Sequence, residues 1–295
     1  MKNGFGWQGT EAALQGGSYG HGMANLQYGV MDGDFAFYAA AEGVTDGGWR
    51  MQSGSNLARL YADTGWRYGD SEFHLAGSFA QSGLGVVGPT PVELAAQDSA
   101  AVYTYPQTTQ DRIASLALNG KSKLGEDWQL QTSLYLRTLR QRHLDGNDAN
   151  FESCSARSSF GGDLCLQDDD FGTPPGGKTT AFRNQFVLMG PAGQVFPFDS
   201  AIVYGTDDHS FTDSATQGAT LQLTGNASLL GLGNALTLGV SLDRSAIGFR
   251  SNSTLGRLFA NLDVEPDPSE PGAGVVVHTL GNLGYAPTDL GATTD

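Results

Sequence analysis

DFAFYAAAEGVTDGGWRMQSGSNLARLYADTGWRY, residues 34–68, holds two long segments in which apolar and polar side chains alternate. In the first segment, Phe35 and Phe37 alternate with Asp34 and Tyr38. Since successive side chains of a β-strand point to opposite faces, each segment has one apolar and one polar face. Each segment runs for about a dozen residues, whereas soluble strands usually have about five or six. Such strands, charged on one face only, are typical of a bilayer-spanning sheet around a wet interior.

The same alternation assigns side chains to faces in the neighbouring strands. We predict that six residues face the wet interior: Glu42, Arg59, Asp63, Arg67, Tyr135 and Arg137. We predict that the outward-facing side chains include Leu60, Phe73, Phe79, Leu130 and Leu134. A charge on the lipid face would cost about 2–4 kcal/mol near the midplane. Because the period is two, a register error of one residue would reverse every assignment.

Turn signals divide the chain into about nine or ten strands, beginning with a weak one at residues 5–14. Short turns are predicted near residues 32, 69, 125 and 232. Longer connections are predicted near residues 50, 95, 180 and after 250, the longest spanning residues 145–213. Short turns at one end and long loops at the other are typical of outer-membrane barrels, whereas a soluble β-sandwich has shorter strands. The four tryptophans lie near predicted strand ends, where such barrels carry aromatic girdles.

The composition excludes several classes of protein. The chain has 295 residues and a net charge of −15, and it shows no basic patch of the kind that binds nucleic acid. It has no run of about 18 apolar residues, so no transmembrane helix is predicted. No apolar segment of a secretory signal follows Met1, so for an exported barrel we expect a fragment or a misread start.

Cys154 and Cys165 lie close together in a polar, acidic stretch. A disulfide between them would close a short surface loop and fit an oxidising compartment; the alternative is two free thiols. Segment Asp145–Asp170, which ends in the run Asp168, Asp169 and Asp170, could bind a hard cation or form a solvated acidic loop, and both interpretations stay open. The five histidines lack metal-site spacing, so no metal or cofactor is predicted.

Two short glycine motifs also match catalytic or nucleotide-binding patterns. Gly4-x-Gly6-x-x-Gly9 matches a dinucleotide fingerprint, which requires a preceding strand and a following helix. Gly16-x-Ser18-x-Gly20 matches a hydrolase nucleophile elbow, which must open a helix on an α/β sheet. Alternating strands follow both motifs, so we interpret them as chance matches in a glycine-rich chain and expect no enzyme. A hydrolase using Ser18 remains an alternative hypothesis.

Four segments together resemble the barrel of TonB-dependent outer-membrane receptors. They are GDFAFYAAAEGVTDGGWR (33–50), LARLYADTGWRYGDSEFHL (57–75), GPTPVELAAQDSAAVYTYPQTTQDR (88–112) and YGTDDHSFTDSATQGATLQLTG (204–225). The resemblance implies a 22-stranded barrel, an N-terminal plug and a short box that engages an inner-membrane energy transducer. It also implies uptake of siderophore-like or other scarce ligands, such as metal chelates, across the outer membrane and its lipid.

The sequence departs from this family in ways that define the expected domain. Neither a plug, nor a box, nor a terminal strand with an aromatic end is recognisable, and the strands are too few to close the barrel. We therefore expect residues 1–295 to form one partial, all-β, antiparallel transmembrane barrel domain: an open curved sheet with long extracellular loops and an unfilled polar side. The alternative is a porin or adhesin barrel without a plug.

Overall fold

The computed structural model describes residues 2–168, 171–225, 228–229, 232–281 and 288–294. In chain order the strands are β1 Gly9–Gly16, β2 Gly22–Asp32, β3 Phe35–Asp46, β4 Ser55–Tyr68, β5 Ser71–Gly85, β6 Gln107–Leu124, β7 Trp128–Asp148, β8 Phe151–Ser153, β9 Leu164–Leu166, β10 Leu188–Met189, β11 Tyr204–Gly225, β12 Ser228–Leu229, β13 Leu232–Gly233, β14 Leu236–Leu258, β15 Val264–Glu265, β16 Val276–Thr279 and β17 Thr288–Thr294. The helices are α1 Val92–Gln97 and α2 Thr180–Asn184. Within these described ranges, no helix is long and apolar enough to cross a membrane.

Nine long strands form a meander in which each strand is antiparallel to its neighbours. β1 to β7 follow one another, β11 pairs with β7, and β14 pairs with β11. β17 adds a tenth strand beside β14. In the part of the chain that the structure describes, β1 pairs with β2 alone, so the sheet is open. The predicted open antiparallel sheet of nine or ten strands is therefore confirmed.

The connections are sorted by length between the two ends of the sheet. β2–β3, β4–β5 and β6–β7 are joined by turns of two or three residues, in which Gly33, Gly69 and Gly125 have φ of 56°, 56° and 75°. Only glycine adopts this left-handed backbone readily. The long connections lie at the opposite end, as predicted. The first hairpin loop is residues 33–34 rather than the predicted 32–33. Of the turn predicted at residues 231–234, residue 231 lies outside the described residues, and Leu232 and Gly233 form β13.

Several predicted boundaries were wrong because strands continue where alternation is lost. The irregular segment predicted at 145–213 is shorter, since β7 runs to Asp148 and β11 begins at Tyr204. β14 likewise continues past Phe249 to Leu258. In these stretches both faces carry polar side chains, so hydrophobic periodicity gives no signal although the ladder of hydrogen bonds continues. The first strand begins at Gly9, not at residue 5.

An unbroken register gives the sheet two chemically different faces. No pairing from β1 to β14 slips by a residue, so side chains alternate strictly. We call the face that carries Arg59 the polar face and the face that carries Leu60 the apolar face. Exposed large side chains cover the apolar face: Leu26, Leu60, Phe79, Leu116, Leu134, Leu136, Leu221, Leu238 and Leu242. An apolar surface of this extent suits lipid and would aggregate in water.

The tryptophans divide between the two faces. Trp66 stacks on Phe73 with ring centroids 5.5 Å apart, on the apolar face near the short turns. Trp128 begins β7 on the same face and at the same end. These positions suit an aromatic girdle at a membrane interface. Trp7 instead packs on Tyr38 of the polar face, and Trp49 lies in the β3–β4 loop, so the girdle prediction holds for two of the four.

A small folded unit, the loop domain, lies at the long-loop end and comprises residues 149–203 and 259–281. Its buried side chains cluster with Tyr204 of β11 and Leu255 of β14; they include Leu164, Leu188, Phe196 and Val277. The strand register places Tyr204 and Leu255 on the polar face. The loop domain therefore packs on the polar-face side of the sheet, at the end away from the short turns.

Candidate functional site: the polar face

All six residues predicted to face inward lie on the polar face. In β3 and β4, Glu42 is opposite Arg59, and Arg59 Nη2 lies 2.7 Å from Glu42 Oε1. Asp63 and Arg67 follow on the same face of β4. In β7, Tyr135 and Arg137 lie on this face too. The register alone brings these residues to one side, because each cross-strand pair shares a face.

A row of charged and titratable side chains crosses β4 and β5 near the short turns. Asp63 is 3% exposed, and its Oδ1 lies 2.9 Å from His74 Nδ1. His74 Nε2 lies 3.2 Å from Glu72 Oε1, and Arg67 Nε donates to Glu72 Oε2 at 2.7 Å. Carboxylates only accept hydrogen bonds, so this geometry is satisfied when both ring nitrogens of His74 donate. In that protonation state His74 and Arg67 together compensate the charges of Asp63 and Glu72.

The N-terminal segment, residues 2–8, packs on this row of side chains and covers part of the polar face. The Arg67 guanidinium lies 3.8 Å from the centroid of the Phe5 ring, and His74 meets the same ring edge-on at 5.8 Å. Trp7 meets Tyr38 edge-on, also at 5.8 Å. The prediction of an unfilled polar side was therefore wrong near the short turns. Phe5 and Trp7, which the sequence analysis placed in a first strand, lie against the polar face there instead.

Two glycines in the sheet make room for these aromatic rings. A Cβ atom at Gly65 would lie 2.7 Å from the Phe5 ring, and one at Gly29 would lie 2.4 Å from the carbonyl oxygen of Trp7. A glycine inside a strand often marks such a close approach. Gly29 and Gly65 are the sequence signals that would have indicated an insertion on the polar face.

Replacing Gly65 with valine should release the N-terminal segment. The substitution displaces Phe5 from its cation–π and edge-on contacts, which together are worth about 1–3 kcal/mol. We expect the protection of residues 3–8 in hydrogen–deuterium exchange to fall about tenfold or more. The matched control is Gly43→Val on the apolar face, where a Cβ atom has no neighbour within 4 Å. Equal protection in the two variants would contradict the insertion.

A second link crosses three strands near the middle of the polar face. The Tyr135 hydroxyl of β7 donates to Asp243 Oδ1 of β14, passing over Gly218 of β11. A Cβ atom at Gly218 would lie 2.4 Å from the Tyr135 ring, so the glycine opens this path. Arg137 lies between Ser115 and Thr216 on the neighbouring strands. Asp243, which the sequence did not single out, is 108 residues from Tyr135.

The polar face also contains a recess beside the Glu42–Arg59 pair. It has a volume of about 440 Å³, and its polar lining includes Glu11, Asn25, Gln27, Tyr61 and Ser78. Tyr38 donates to Gln27 at its edge. Hydroxyls, amides and charges of both signs therefore line one continuous surface, which suits water and small polar molecules.

The overall fold is similar to that of a solved receptor structure. The siderophore receptor PiuA from Acinetobacter baumannii matches 96% of this chain with a TM-score of 0.50 at 10% identity. The fold of this chain is similar to that of the corresponding part of PiuA. The resemblance to TonB-dependent outer-membrane receptors is thereby confirmed for the fold. The matched segment is 37% of the PiuA chain, so this chain spans a little over a third of that receptor's length.

Two structures of the ferric-catecholate import receptor Fiu from E. coli K12 are also similar. The open form matches 99% of this chain and 51% of its own, with a TM-score of 0.44 at 7% identity. The closed form matches 97% and 47%, with a TM-score of 0.43 at 10% identity. No protein-family sequence model and no curated protein matches the chain.

At the long-loop end of the sheet, the structure bonds Cys154 to Cys165 within the loop domain. Both cysteines are buried and pack against Phe186 and Val187. Reducing the bond should loosen this cluster, with a loss of about 3 kcal/mol in the loop-closure model. The measurement is thermal unfolding of the loop domain, with and without reductant, alongside a Cys154→Ser/Cys165→Ser variant. An unchanged transition in both samples would contradict a stabilising role.

The acidic segment of the loop domain is partly neutralised by other groups. Asp168 pairs with Lys178 Nζ at 2.9 Å, and the backbone N–H of Asp168 donates to Glu152 at 3.3 Å. Among the described residues, no group of three or more His, Cys, Asp or Glu side chains could hold a metal ion. Asp169 and Asp170 lie outside the described residues.

The glycine motifs do not form the sites that they resemble. Gly4 and Gly6 precede β1, which begins at Gly9. Ser18 lies in the β1–β2 turn, where strand β2 follows instead of a helix. His21 of that turn pairs with Asp46 at 3.0 Å. A hydrogen bond from the backbone N–H of Gly48, together with His21, lowers the pKa of Asp46. These contacts tie the β1–β2 turn to the β3–β4 loop.

Proposed function

We propose that this chain forms part of the wall of an outer-membrane receptor that takes up a scarce ligand such as a metal chelate. The observation that carries the proposal is the continuous polar face, backed by an equally continuous apolar face, on a fold shared with the siderophore receptor PiuA. One face suits membrane lipid and the other suits a hydrated passage. In this proposal Glu42, Arg59, Asp63, Arg67, Tyr135 and Arg137 line the passage.

The proposal includes energy coupling and a separate plug. Residues 1–295 would act as a single barrel domain, and an inner-membrane energy transducer would act through a plug region outside that domain. The N-terminal segment supports this arrangement, because residues 2–8 already lie against the polar face at the short-turn end. A chain that enters the sheet from this side is suitably placed to connect a plug to β1.

Uptake of a labelled ferric chelate tests the proposed function. Cells that express the full native protein should accumulate the label under iron limitation. A protonophore should abolish this accumulation. A porin would instead admit the chelate down its gradient with no effect of the protonophore, and an adhesin would admit none. Either of these results would contradict the proposal. A control strain with the gene deleted gives the background.

A further inference from the structure

Two short segments, far apart in the chain, pair with each other at the long-loop end of the sheet. Residues 103–105, which lead into β6, pair in parallel with residues 262–265, and we call the two segments the outer strap. The N–H of Tyr105 donates to the carbonyl oxygen of Leu262 at 3.1 Å. The N–H of Val264 donates to the carbonyl oxygen of Tyr105 at 2.7 Å. The outer strap thus joins the connection before β6 to the loop domain.

Glycines on the apolar face make room for the outer strap. A Cβ atom at Gly205 of β11 would lie 2.8 Å from the side chain of Val264, and one at Gly146 of β7 would lie 3.1 Å from the backbone of Tyr105. Gly205 alternates in phase with Leu221 of β11, so it belongs to the apolar face. Val264 is buried there. The outer strap therefore crosses the apolar-face side of the sheet, unlike the rest of the loop domain.

The outer strap lies beyond the membrane-spanning part of the sheet. Gly146 is eighteen residues along β7 from Trp128, which marks the short-turn border of the apolar face. Eighteen strand residues extend about 60 Å, which corresponds to about 42 Å across the bilayer at a tilt of about 45°. The apolar band of a transmembrane barrel is about 25 Å tall. The residues around Gly146 are therefore outside the hydrocarbon, on the side of the long loops.

A carboxyl group, that of Asp207, is buried at this end of the apolar face. Asp207 lies directly opposite Gly146 of β7 and Thr254 of β14. Its Oδ1 atom is buried, and among the described residues no group donates a hydrogen bond to it. The strap residues Asp263 and Glu265 are close enough for their charges to act on Asp207. An ionised Asp207 is therefore both desolvated and repelled by the strap, whereas a protonated one is neither.

The surroundings of Asp207 are acidic overall. The other titratable groups on the elements around it are Asp148 of β7, Asp208 and His209 of β11, and Tyr103 and Tyr105 of the outer strap. The residues of β14 that face this position do not titrate: Asn252, Thr254 and Gly256. Arg257 is opposite Glu265 in the register, but its Nη1 atom lies 3.1 Å from Asp267. His209 is thus a nearby group that could carry a positive charge, and it requires its own control.

We propose that Asp207 makes the outer strap a pH-sensitive clasp, which is closed when Asp207 is protonated and opens when Asp207 ionises. Ionisation adds a negative charge beneath two strap carboxylates, in a place where no donor compensates it. Opening the strap relieves the cost, because it hydrates Asp207 and separates it from Asp263 and Glu265. The inference does not depend on the proposed transport function, since it concerns contacts within the chain.

The pKa of Asp207 gives the pH range in which the strap opens. Burial and the carboxylates of Asp208, Asp263 and Glu265 raise the pKa of Asp207 to about 6. In the open, hydrated strap, its pKa returns to the usual value of about 3.9. Because the pKa is raised in the closed form, the stabilisation of that form is fully present below about pH 4 and is lost as the pH rises through about 6. Between pH 5 and pH 7.5 the opening equilibrium should increase about tenfold.

Opening the strap separates the loop domain from the other long connections. The β5–β6 connection, which continues into the strap, is itself fixed to the β3–β4 loop: the N–H of Met51 donates to the carbonyl oxygen of Ala100 at 2.9 Å. Arg50 of the same loop donates to Thr90 at 2.6 Å. The closed strap therefore joins the connections after β3, β5 and β14 into one unit. In the proposed orientation this unit faces the external medium, whose pH controls the joining.

Hydrogen–deuterium exchange at pH 5 and pH 7.5 tests the inference on the full native protein in detergent. The labelling times are adjusted for the pH dependence of the chemical exchange rate. In the wild type, the amides of Tyr105 and Val264, which donate the strap hydrogen bonds, should be about tenfold more protected at pH 5 than at pH 7.5. In Asp207→Asn, which has a similar shape and no charge at either pH, the protection of these amides should not depend on pH.

Two control variants separate Asp207 from other groups that titrate. Asp213→Asn changes an aspartate on the same face of β11, beside Arg140 and away from the strap. His209→Gln removes the nearby imidazole, which titrates in the same pH range. Both should keep the pH dependence of the wild type. Equal protection of the wild type at the two pH values, a pH dependence retained in Asp207→Asn, or one lost in either control would overturn the inference.

A second variant keeps the inference testable if Asp207→Asn does not fold. Asp263→Asn/Glu265→Gln leaves Asp207 in place and removes two of the charges that act on it. We expect its strap amides to depend less on pH than those of the wild type, and an unchanged dependence would overturn the inference. A protein that imports no chelate but has a pH-sensitive strap contradicts only the proposed function.

Discussion

Replacing Asp63 with alanine is expected to destabilise the folded sheet by about 3–5 kcal/mol when His74 is protonated, because it removes one partner of a buried ion pair. Asp63 is nearly inaccessible to solvent and accepts from His74 at 2.9 Å. The loss of the Asp63 carboxylate leaves His74 Nδ1 without a hydrogen-bond partner, beside the Phe5 ring. We expect the effect to extend to the N-terminal segment, which rests on the same ring. The change is measured by urea unfolding of the protein in detergent. The loss of heat-modifiable gel migration is the signal that reports unfolding.

Glu42→Ala provides the matched control for this variant. Glu42 also pairs across β3 and β4, but its partner Arg59 has a side chain that is 59% exposed. Ion pairs accessible to water contribute about 0–1 kcal/mol. The Asp63 variant should therefore be much less stable than the Glu42 variant. Similar unfolding midpoints for the two would show that burial of Asp63 does not decide the stability of this region.

Replacing Leu134 with arginine is expected to cost about 2–4 kcal/mol in the membrane, because Leu134 lies midway along the apolar part of β7. The neighbouring change Ser133→Arg adds the same side chain to the polar face, where water solvates it. The ratio of folded to unfolded protein across a denaturant series in lipid vesicles measures both. If the Ser133→Arg variant were as unstable as the Leu134→Arg variant, the result would argue against a lipid-facing side for Leu134.

The strands could be predicted from the sequence only where apolar and polar residues alternate. Between Phe35 and Trp66 the alternation is strong, so the two strands, their connection and the residues that share a face were predicted as the structure has them. At Thr206 to Asp213 both faces are polar, so the continuation of β11 had no periodic signal. These residues form strand because their neighbours in β7 and β14 supply partners for the backbone.

The site was predicted as a face but not as a set of contacts. Alternation assigned Tyr135 to the same face as Arg137, as the register does. Its partner Asp243 is far away in sequence and is brought close only by the register of three strands. Phe5 and Trp7 have the apolar character of a strand, and nothing local distinguishes a paired strand from a segment packed on a sheet. The interior glycines Gly29 and Gly65 carry that information, because they mark where a ring approaches the backbone.

Spin-label accessibility along β7 tests most directly whether the sheet is a membrane wall with one wet face. Nitroxide side chains are placed one at a time at residues 129–137 of the protein in lipid vesicles. We expect collision with oxygen to be high at residues 130, 132, 134 and 136, and collision with a water-soluble nickel reagent to be high at the odd-numbered positions. This period of two follows from the register of β6, β7 and β11. Uniform accessibility to the nickel reagent, or the opposite phase, would contradict the account.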